Sequence, residues 1–276
     1  MEGQIIKILS DIHFVKHKDN IYDCKCRGKF RNDNIFPVVG DYVVFNEQDK
    51  IINEVKPRKN ILIRPPVANI DQCFVITSLK DPDFSDNLLD KLLVMLEYHH
   101  IRPIICLTKL DLVSNSKKKE LLKIISYYKK IGYKVIKNTN IFQIKLLLRN
   151  KTTAFTGQTG AGKSTLLNRL NKNLNLETNE ISYSLGRGKH TTRHVEIIEM
   201  FKGKVLDTPG FSLIDFNQLD ISDFKNMFIE FRNINCEYKD CNHINEEHCE
   251  VKEMVKNNLI LKSRYNNYIK IVKEKR

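Results

Sequence analysis

Gly157-Gln158-Thr159-Gly160-Ala161-Gly162-Lys163-Ser164, with Thr165 behind it, is the stretch whose residue types and spacing point most directly to chemistry. It fits G-x-x-x-x-G-K-S/T, the pattern of a loop that wraps a phosphate chain. Three glycines let the backbone curl until its N–H groups face one concavity, and the N-terminus of a following helix adds partial positive charge. In such a loop Lys163 reaches the β- and γ-phosphates and the Ser164 hydroxyl ligates Mg²⁺. The flanks suit this reading. Thr152 to Thr156 is a short β-prone run, and Ser164 to Leu170 reads as a helix with Leu166, Leu167 and Leu170 on one side.

Three further stretches belong to the same chemistry. Asp207-Thr208-Pro209-Gly210 closes an apolar run, as a strand-end carboxylate for Mg²⁺ does, and the Gly210 N–H is placed to sense a γ-phosphate. Between it and the phosphate loop lies Gly186-Arg187-Gly188-Lys189-His190-Thr191-Thr192-Arg193-His194, read as a switch loop. A hydroxyl from Thr191 or Thr192 would complete the Mg²⁺ shell when the γ-phosphate is present. Upstream, Thr108-Lys109-Leu110-Asp111 ends a buried strand. A carboxylate here accepts two hydrogen bonds from the N–H edge of guanine, a donor pair adenine lacks, and Lys109 lays its stem along the base. Ras-like GTPases carry this base motif after D-x-x-G. Here it precedes the phosphate loop, the order of a circular permutation. Ras-like enzymes also place a glutamine just after D-x-x-G to orient water, and here that residue is Phe211. His190 is the expected substitute for water activation, with Lys163 on the phosphates; the alternative leaves His190 to touch RNA and gives the transition state to Lys189 or to a bound partner.

Near the C-terminus, Cys236, Cys241, His243 and Cys249 give Cys-x₄-Cys-x-His-x₅-Cys. Three thiolates and an imidazole make a closed tetrahedral set, structural rather than catalytic, for one zinc ion; His248 is the alternative nitrogen ligand. The other cysteines read differently. Cys73 and Cys106 lie in apolar runs as packing residues. Cys24 and Cys26 share one face of a strand, as packing residues or as a metal pair.

The elements that must position these groups fall into three blocks. Residues 1–62 read as five short strands punctuated by Gly28, Pro37, Gly40 and Asp41, a small barrel of OB or SH3-like type. Arg64-Pro65-Pro66 reads as a stiff connector. Residues 63–214 alternate strands (73–78, 103–108, 134–137) with helices (87–98, 117–130, 141–149) before entering the phosphate loop, as a mostly parallel sheet covered on both faces does. Residues 215–276 read as helices at 221–231, 251–255 and 260–272 around the cysteine cluster.

The formal charge is +13. It concentrates in residues 112–151, where eleven basic residues meet one acid, Glu120. Such a field favours RNA or DNA, though a solvated lysine-rich face would look the same. An odd count of seven cysteines argues against a disulfide framework. No apolar run is long enough to span a bilayer and the charged N-terminus has no secretory pattern, so a cytoplasmic protein without a membrane partner is expected.

The permuted order, GQTGAGKSTLLNRL, GRGKHTTRH, DTPGF and the Cys/His cluster together make the whole chain resemble the RsgA family. These are bacterial GTPases of small ribosomal subunit biogenesis. The resemblance implies an N-terminal OB-fold β-barrel, a central α/β circularly permuted P-loop GTPase and a C-terminal α-helical zinc-binding domain. It implies GTP and GDP as ligands, Mg²⁺ and one structural Zn²⁺ as cofactors, and hydrolysis stimulated by the small subunit and its rRNA in late assembly of that particle. A monomer is expected. Two departures stand out. Thr108 replaces the family's usual Asn, and the second base-contacting element, expected near Asn138-Thr139-Asn140, is not recognisable. Two other classes fit less of the chain: a nucleotide-gated RNA-binding factor with little hydrolysis, and a P-loop kinase for a small molecule.

Overall fold

The computed structural model describes residues 1–28, 30, 35–63, 65–171, 195–207 and 224–275, with Asp207 and Lys275 described through their backbone alone. Five strands open the chain: β1 (Glu2–Leu9), β2 (Ile12–His17), β3 (Asn20–Cys26), β4 (Tyr42–Asn46) and β5 (Ile51–Val55). β1 pairs with both β2 and β4, β2 with β3, and β5 with both β3 and β4, so the ribbon closes on itself. The strand alternation that sequence shows turns Ile5, Val15, Cys24, Val43, Phe45 and Ile52 inward as the barrel core. The order 1-2-3-5-4-1, with β3 and β5 parallel, is that of an OB-fold.

The expected connector is instead a hairpin, β6 (Ile61–Ile63) against β7 (Pro66–Ala68), with Ile63 opposite Pro66. Proline is tolerated because it starts its strand, where no ladder N–H is required. Leu62 and Val67 supply the reason for order: both are buried in the central core.

The central layer is β8 (Gln72–Ser78), α1 (Asp86–Tyr98), β9 (Arg102–Thr108), α2 (Asn115–Lys130), β10 (Lys134–Lys137), α3 (Ile141–Leu148), β11 (Thr152–Gly157), α4 (Lys163–Leu170), β12 (Glu196–Met200) and β13 (Gly203–Asp207). The sheet runs β10-β9-β8-β11-β13-β12, parallel except for β12. Every residue of β8 is buried, as expected of a strand covered on both faces. Period-two alternation sorts its side chains. Cys73 and Val75 face α1 and α2 with Leu89, Leu93, Ile125 and Tyr128. Phe74 and Ile76 face α3 and α4 with Ile144, Leu148, Leu166 and Leu167.

The barrel is not a separate bead. The register of β1 shifts between Ile5 and Lys7, a bulge that bends the strand, and Lys7 then pairs with Glu196 at the edge of the central sheet. A Lys7–Glu196 salt bridge (3.0 Å) reinforces that join.

The C-terminal stretch holds α5 (Phe224–Met227), α6 (Glu250–Lys256) and α7 (Lys262–Lys275). The helix expected over 221–231 is not continuous. α5 stops at Phe228, whose backbone is extended, and a 3₁₀ turn follows at Ile229–Phe231. Packing outweighs helix continuity here. The Phe228 ring stacks on Phe231 (5.3 Å), meets Tyr268 edge-on (5.2 Å) and lies under the Arg264 guanidinium (4.7 Å). Residues 221–223 lie outside the described residues.

A buried ionic network fastens this stretch to the central layer. Arg264 on α7 is fully buried and donates to Asp90 of α1 (2.5 Å) and to Glu230 (3.0 Å from Nη2). Asp90 also accepts from the Tyr128 hydroxyl of α2 (2.6 Å) and from Asn267 (2.7 Å). Removing one member strands the rest without water. Asp90→Ala should therefore destabilise the protein by about 3–5 kcal/mol, read by urea unfolding. A loss under about 1 kcal/mol would assign the network no structural weight.

Candidate active site and metal centre

β11 runs between β8 and β13 and delivers Gly157 to the C-terminal edge of the sheet. A Cβ on Gly157 would stand 2.3 Å from the Ile76 carbonyl oxygen, and its φ is +152°, so glycine is required where the loop leaves the strand. The loop turns through an Ala161 N–H bond to the Gln158 carbonyl (3.0 Å). Gly162, at φ +96°, caps α4, and its carbonyl accepts the first helical bond, from Leu166 (3.0 Å). Thr159 and Gly160 form the exposed crest. Lys163 opens the helix, Ser164 is half-buried and Thr165 is exposed.

The strand end carrying Thr108 is clasped to this loop. Thr108 is buried and its hydroxyl donates to the Ala161 carbonyl (2.6 Å). Lys109 adopts a left-handed conformation (φ +54°) and its ammonium donates to the Asp81 carbonyl. Leu110 and Asp111 then lie in a 3₁₀ turn, with Asp111 exposed. Next to them, the Asn138 N–H donates to the Leu107 carbonyl (2.9 Å), which holds the 138–140 segment beside the end of β9. Asn140 caps α3, its side chain accepting from the Gln143 N–H (3.2 Å).

One contributor escaped the sequence reading. The loop from β8 to α1 brings Pro82 to Gly160, where a Cβ would lie 3.7 Å from Pro82 Cδ, and supplies the carbonyl that holds Lys109. Its turn chemistry, Asp81-Pro82-Asp83, was the available signal. The register Ala154↔Leu206 puts Asp207, at the end of β13, beside the strand that leads into the phosphate loop. His190, Thr191, Thr192, Gly210 and Phe211 lie outside the described residues.

The four expected zinc ligands do converge. His243 Nδ1 lies 3.5 Å from Cys236 Sγ, 3.3 Å from Cys241 Sγ and 3.4 Å from Cys249 Sγ, and Cys236 and Cys249 are 4.0 Å apart. A tetrahedron with Zn–S of about 2.3 Å and Zn–N of about 2.0 Å has edges of about 3.5–3.8 Å, so the set fits zinc. His248 is exposed and stays outside the cluster. Among the described residues no second cluster of this kind exists; Cys24 is buried in the barrel core instead. Outer contacts fix the turn. The Glu246 carboxylate accepts from the N–H groups of Asn242 (2.7 Å) and Ile244 (2.8 Å), and the Tyr265 and Tyr268 hydroxyls donate to the carbonyls of His243 (2.8 Å) and Asn242 (2.6 Å). Burial, then the charge of Lys225, lowers the His243 pKa and so favours the neutral imidazole that metals take.

A parallel sheet with a phosphate loop at its C-terminal edge, a base motif that precedes it in sequence and a strand-end aspartate that follows it define a circularly permuted P-loop GTPase. Comparison with known proteins narrows this. Residues 55–217 match the RsgA GTPase family model and residues 2–51 the RsgA N-terminal domain. The chain therefore belongs to the RsgA GTPase family and is a GTP hydrolase. The family implies GTP/GDP and Mg²⁺ binding. Small ribosomal subunit biogenesis GTPases from Oceanobacillus iheyensis and Listeria monocytogenes are 44% and 46% identical to it, each alignment covering 99% of this chain and 97% of the relative. YloQ, a circularly permuted GTPase of known structure, superposes with a TM-score of 0.83 at 35% identity, covering 99% of this chain and 94% of that one. YjeQ from Thermotoga maritima superposes with a TM-score of 0.86 at 32% identity, covering 99% and 98%.

The metal centre yields a direct test. Metal analysis should find one zinc per chain, bound more tightly as pH rises because the thiols must lose protons. Chelation or Cys241→Ser should lower the thermal midpoint, since Cys241 and Cys249 share a core with Val94 of α1. A metal-free protein with an unchanged midpoint would remove zinc from the architecture.

Proposed function

We propose that this chain binds the small ribosomal subunit through its rRNA and assists late assembly of that particle, hydrolysing GTP with stimulation by the subunit. It acts in the cytoplasm as a monomer, with residues 1–62, 63–214 and 215–276 as barrel, GTPase and zinc-binding units. One observation carries the enzymatic part of this reading: the Thr108 hydroxyl bound to the Ala161 carbonyl. That bond holds the base motif against the phosphate loop, which supports reading the two as one guanosine triphosphate site. The ribosomal part is supported by family membership and by the names of full-length relatives.

In this reading Asp111 accepts from the guanine edge, Lys109 packs along the base and Thr108 braces the loop. The backbone from Gly157 to Gly162 surrounds the phosphates, and Lys163 neutralises charge that develops on them. Oxygen donors from Ser164, Thr191 and Asp207 would hold Mg²⁺, which when bound would neutralise further phosphate charge. Water attacks the γ-phosphorus, the bond to the bridging oxygen breaks, and GDP leaves with the electron pair. The water proton ends on phosphate or solvent. The Phe211 side chain can form no hydrogen bond to that water, so His190 takes the orienting role when subunit contact brings it to the site.

Two experiments test this. Asp111→Asn should weaken GTP and favour xanthosine triphosphate, with a loss of roughly 2–4 kcal/mol for the charge-assisted pair. An unchanged GTP preference would show that the base is read elsewhere. Turnover should rise on adding purified small subunits and not large ones. In His190→Ala that stimulated rate should fall by about a hundredfold while GTP-dependent subunit binding persists. Binding lost in parallel with turnover would make His190 an RNA contact.

A further inference from the structure

At the end of the sheet opposite the phosphate loop, barrel and core enclose a cleft of about 580 Å³. Tyr42 at the start of β4 forms one wall. Lys151 and Thr152 at the start of β11, and the β12–β13 turn with Phe201, Lys202 and Lys204, form the others. A second hollow of about 320 Å³ shares Tyr42 and Lys204 and continues over the barrel past Lys18. In the other direction the wall runs onto α3. Lys145 of α3 lies 4.8 Å over the Phe201 ring. The join is rigid, because Gly203 is so close to the end of α3 that a Cβ there would stand 1.9 Å from the Leu148 carbonyl oxygen.

The charges along this track are not balanced. Its acids are already paired: Asp71 with Lys59 (2.8 Å), Glu199 with Lys16 (2.6 Å) and Glu2 with Lys56. Lys145, Arg149, Lys151 and Lys202 are exposed, and among the described residues none has a carboxylate within ion-pair distance. Lys204 bonds the neutral Gln4 amide and stands 5.8 Å over the Tyr42 ring. Aromatic faces interleave with these cations: Tyr42 is 44% exposed and Phe142 of α3 is 80% exposed. Exposed aromatic rings set among cations that outnumber the acids suit a ligand that is anionic along its length and flat at intervals.

We propose that this track seats an unpaired RNA segment, with phosphates on Lys145, Arg149, Lys151 and Lys202 and bases against Tyr42 and Phe142. A duplex would offer the charge but hide the base faces, so single-stranded RNA is the better fit. The proposal rests on the ribosomal role given above and locates part of it. The six residues of β11 separate the cleft from the phosphate loop by about 20 Å. RNA and GTP therefore bind together rather than in competition. The RNA touches the β12–β13 turn, whose two strands lead to the segments expected to sense the γ-phosphate.

The test uses the full chain, an unstructured labelled RNA of about 12 nucleotides, a duplex of equal length and purified small subunits. The paired substitution Lys151→Glu/Lys202→Glu should reduce the log–log salt slope for the single strand by about 1.4, at about 0.7 per phosphate contact. Tyr42→Ala should weaken single-strand binding by about fivefold to a hundredfold, and Tyr42→Phe should restore it. GTP affinity should not change in any variant. An unchanged slope, equal affinity for duplex, or displacement of the RNA by an acidic polypeptide at lower concentration overturns the proposal. The two readings separate cleanly. If wild type binds small subunits and the variants bind them equally, the track is wrong and the ribosomal role stands. If wild type binds no small subunits, the ribosomal role fails and the oligonucleotide arms alone judge the track.

Discussion

The 2.6 Å hydrogen bond from Thr108 to Ala161 joins the end of β9 to the loop that follows β11, 53 positions later and across β8. It is buried, so an unanswered carbonyl or hydroxyl here would cost about 1–3 kcal/mol. It fixes the end of β9 against the phosphate loop, beside the contact of Pro82 with Gly160. The parallel sheet only guarantees that both strands end on the same edge. This explains why permutation leaves the active-site edge intact. Strand pairing and face packing do not depend on which loops link the strands, provided each connection is sterically allowed.

α1 is the rigid element between the two ends of the molecule. Its cap, Ser85, and Leu88 lie beside Gln158 of the phosphate loop. One turn further, Asp90 meets Arg264 of α7, and Val94 enters the core that holds Cys241 and Cys249. A small helical region with one metal cluster would be marginal alone. Here it borrows a face of α1 and a buried guanidinium held by two carboxylates, with Tyr128 and Tyr133 flanking it.

Local chemistry was legible in the sequence wherever one segment carries the whole constraint. The phosphate loop announces itself through glycines whose positive φ the structure confirms, and the zinc set through ligand types in thirteen residues' span. The barrel strands were readable from turn residues and alternation. What failed to show were constraints assembled from distant parts. Asp90, Glu230 and Arg264 look like ordinary helix charges until three elements meet. Pro66 suggests a linker until Leu62 and Val67 find the same core. The break at Phe228 follows from rings contributed by Tyr268 and from Arg264, forty and thirty-six positions later. The segment at 138–140, where a second base-contacting element was expected, stays unreadable by type, although its backbone bond to Leu107 sets its position.

The pairing of Lys7 with Glu196 reaches across 189 positions. A chain made from its N-terminus completes the barrel strands within the first 55 residues, long before β12 exists. The barrel then waits with one edge of β1 open past the bulge, and β12 emerges with an open edge of its own. Exposed strand edges recruit other chains. Docking β1 on β12 closes both at once. Its timing is set by the last strands of the core, so synthesis of residues 196–207 marks the point at which these two edges are covered.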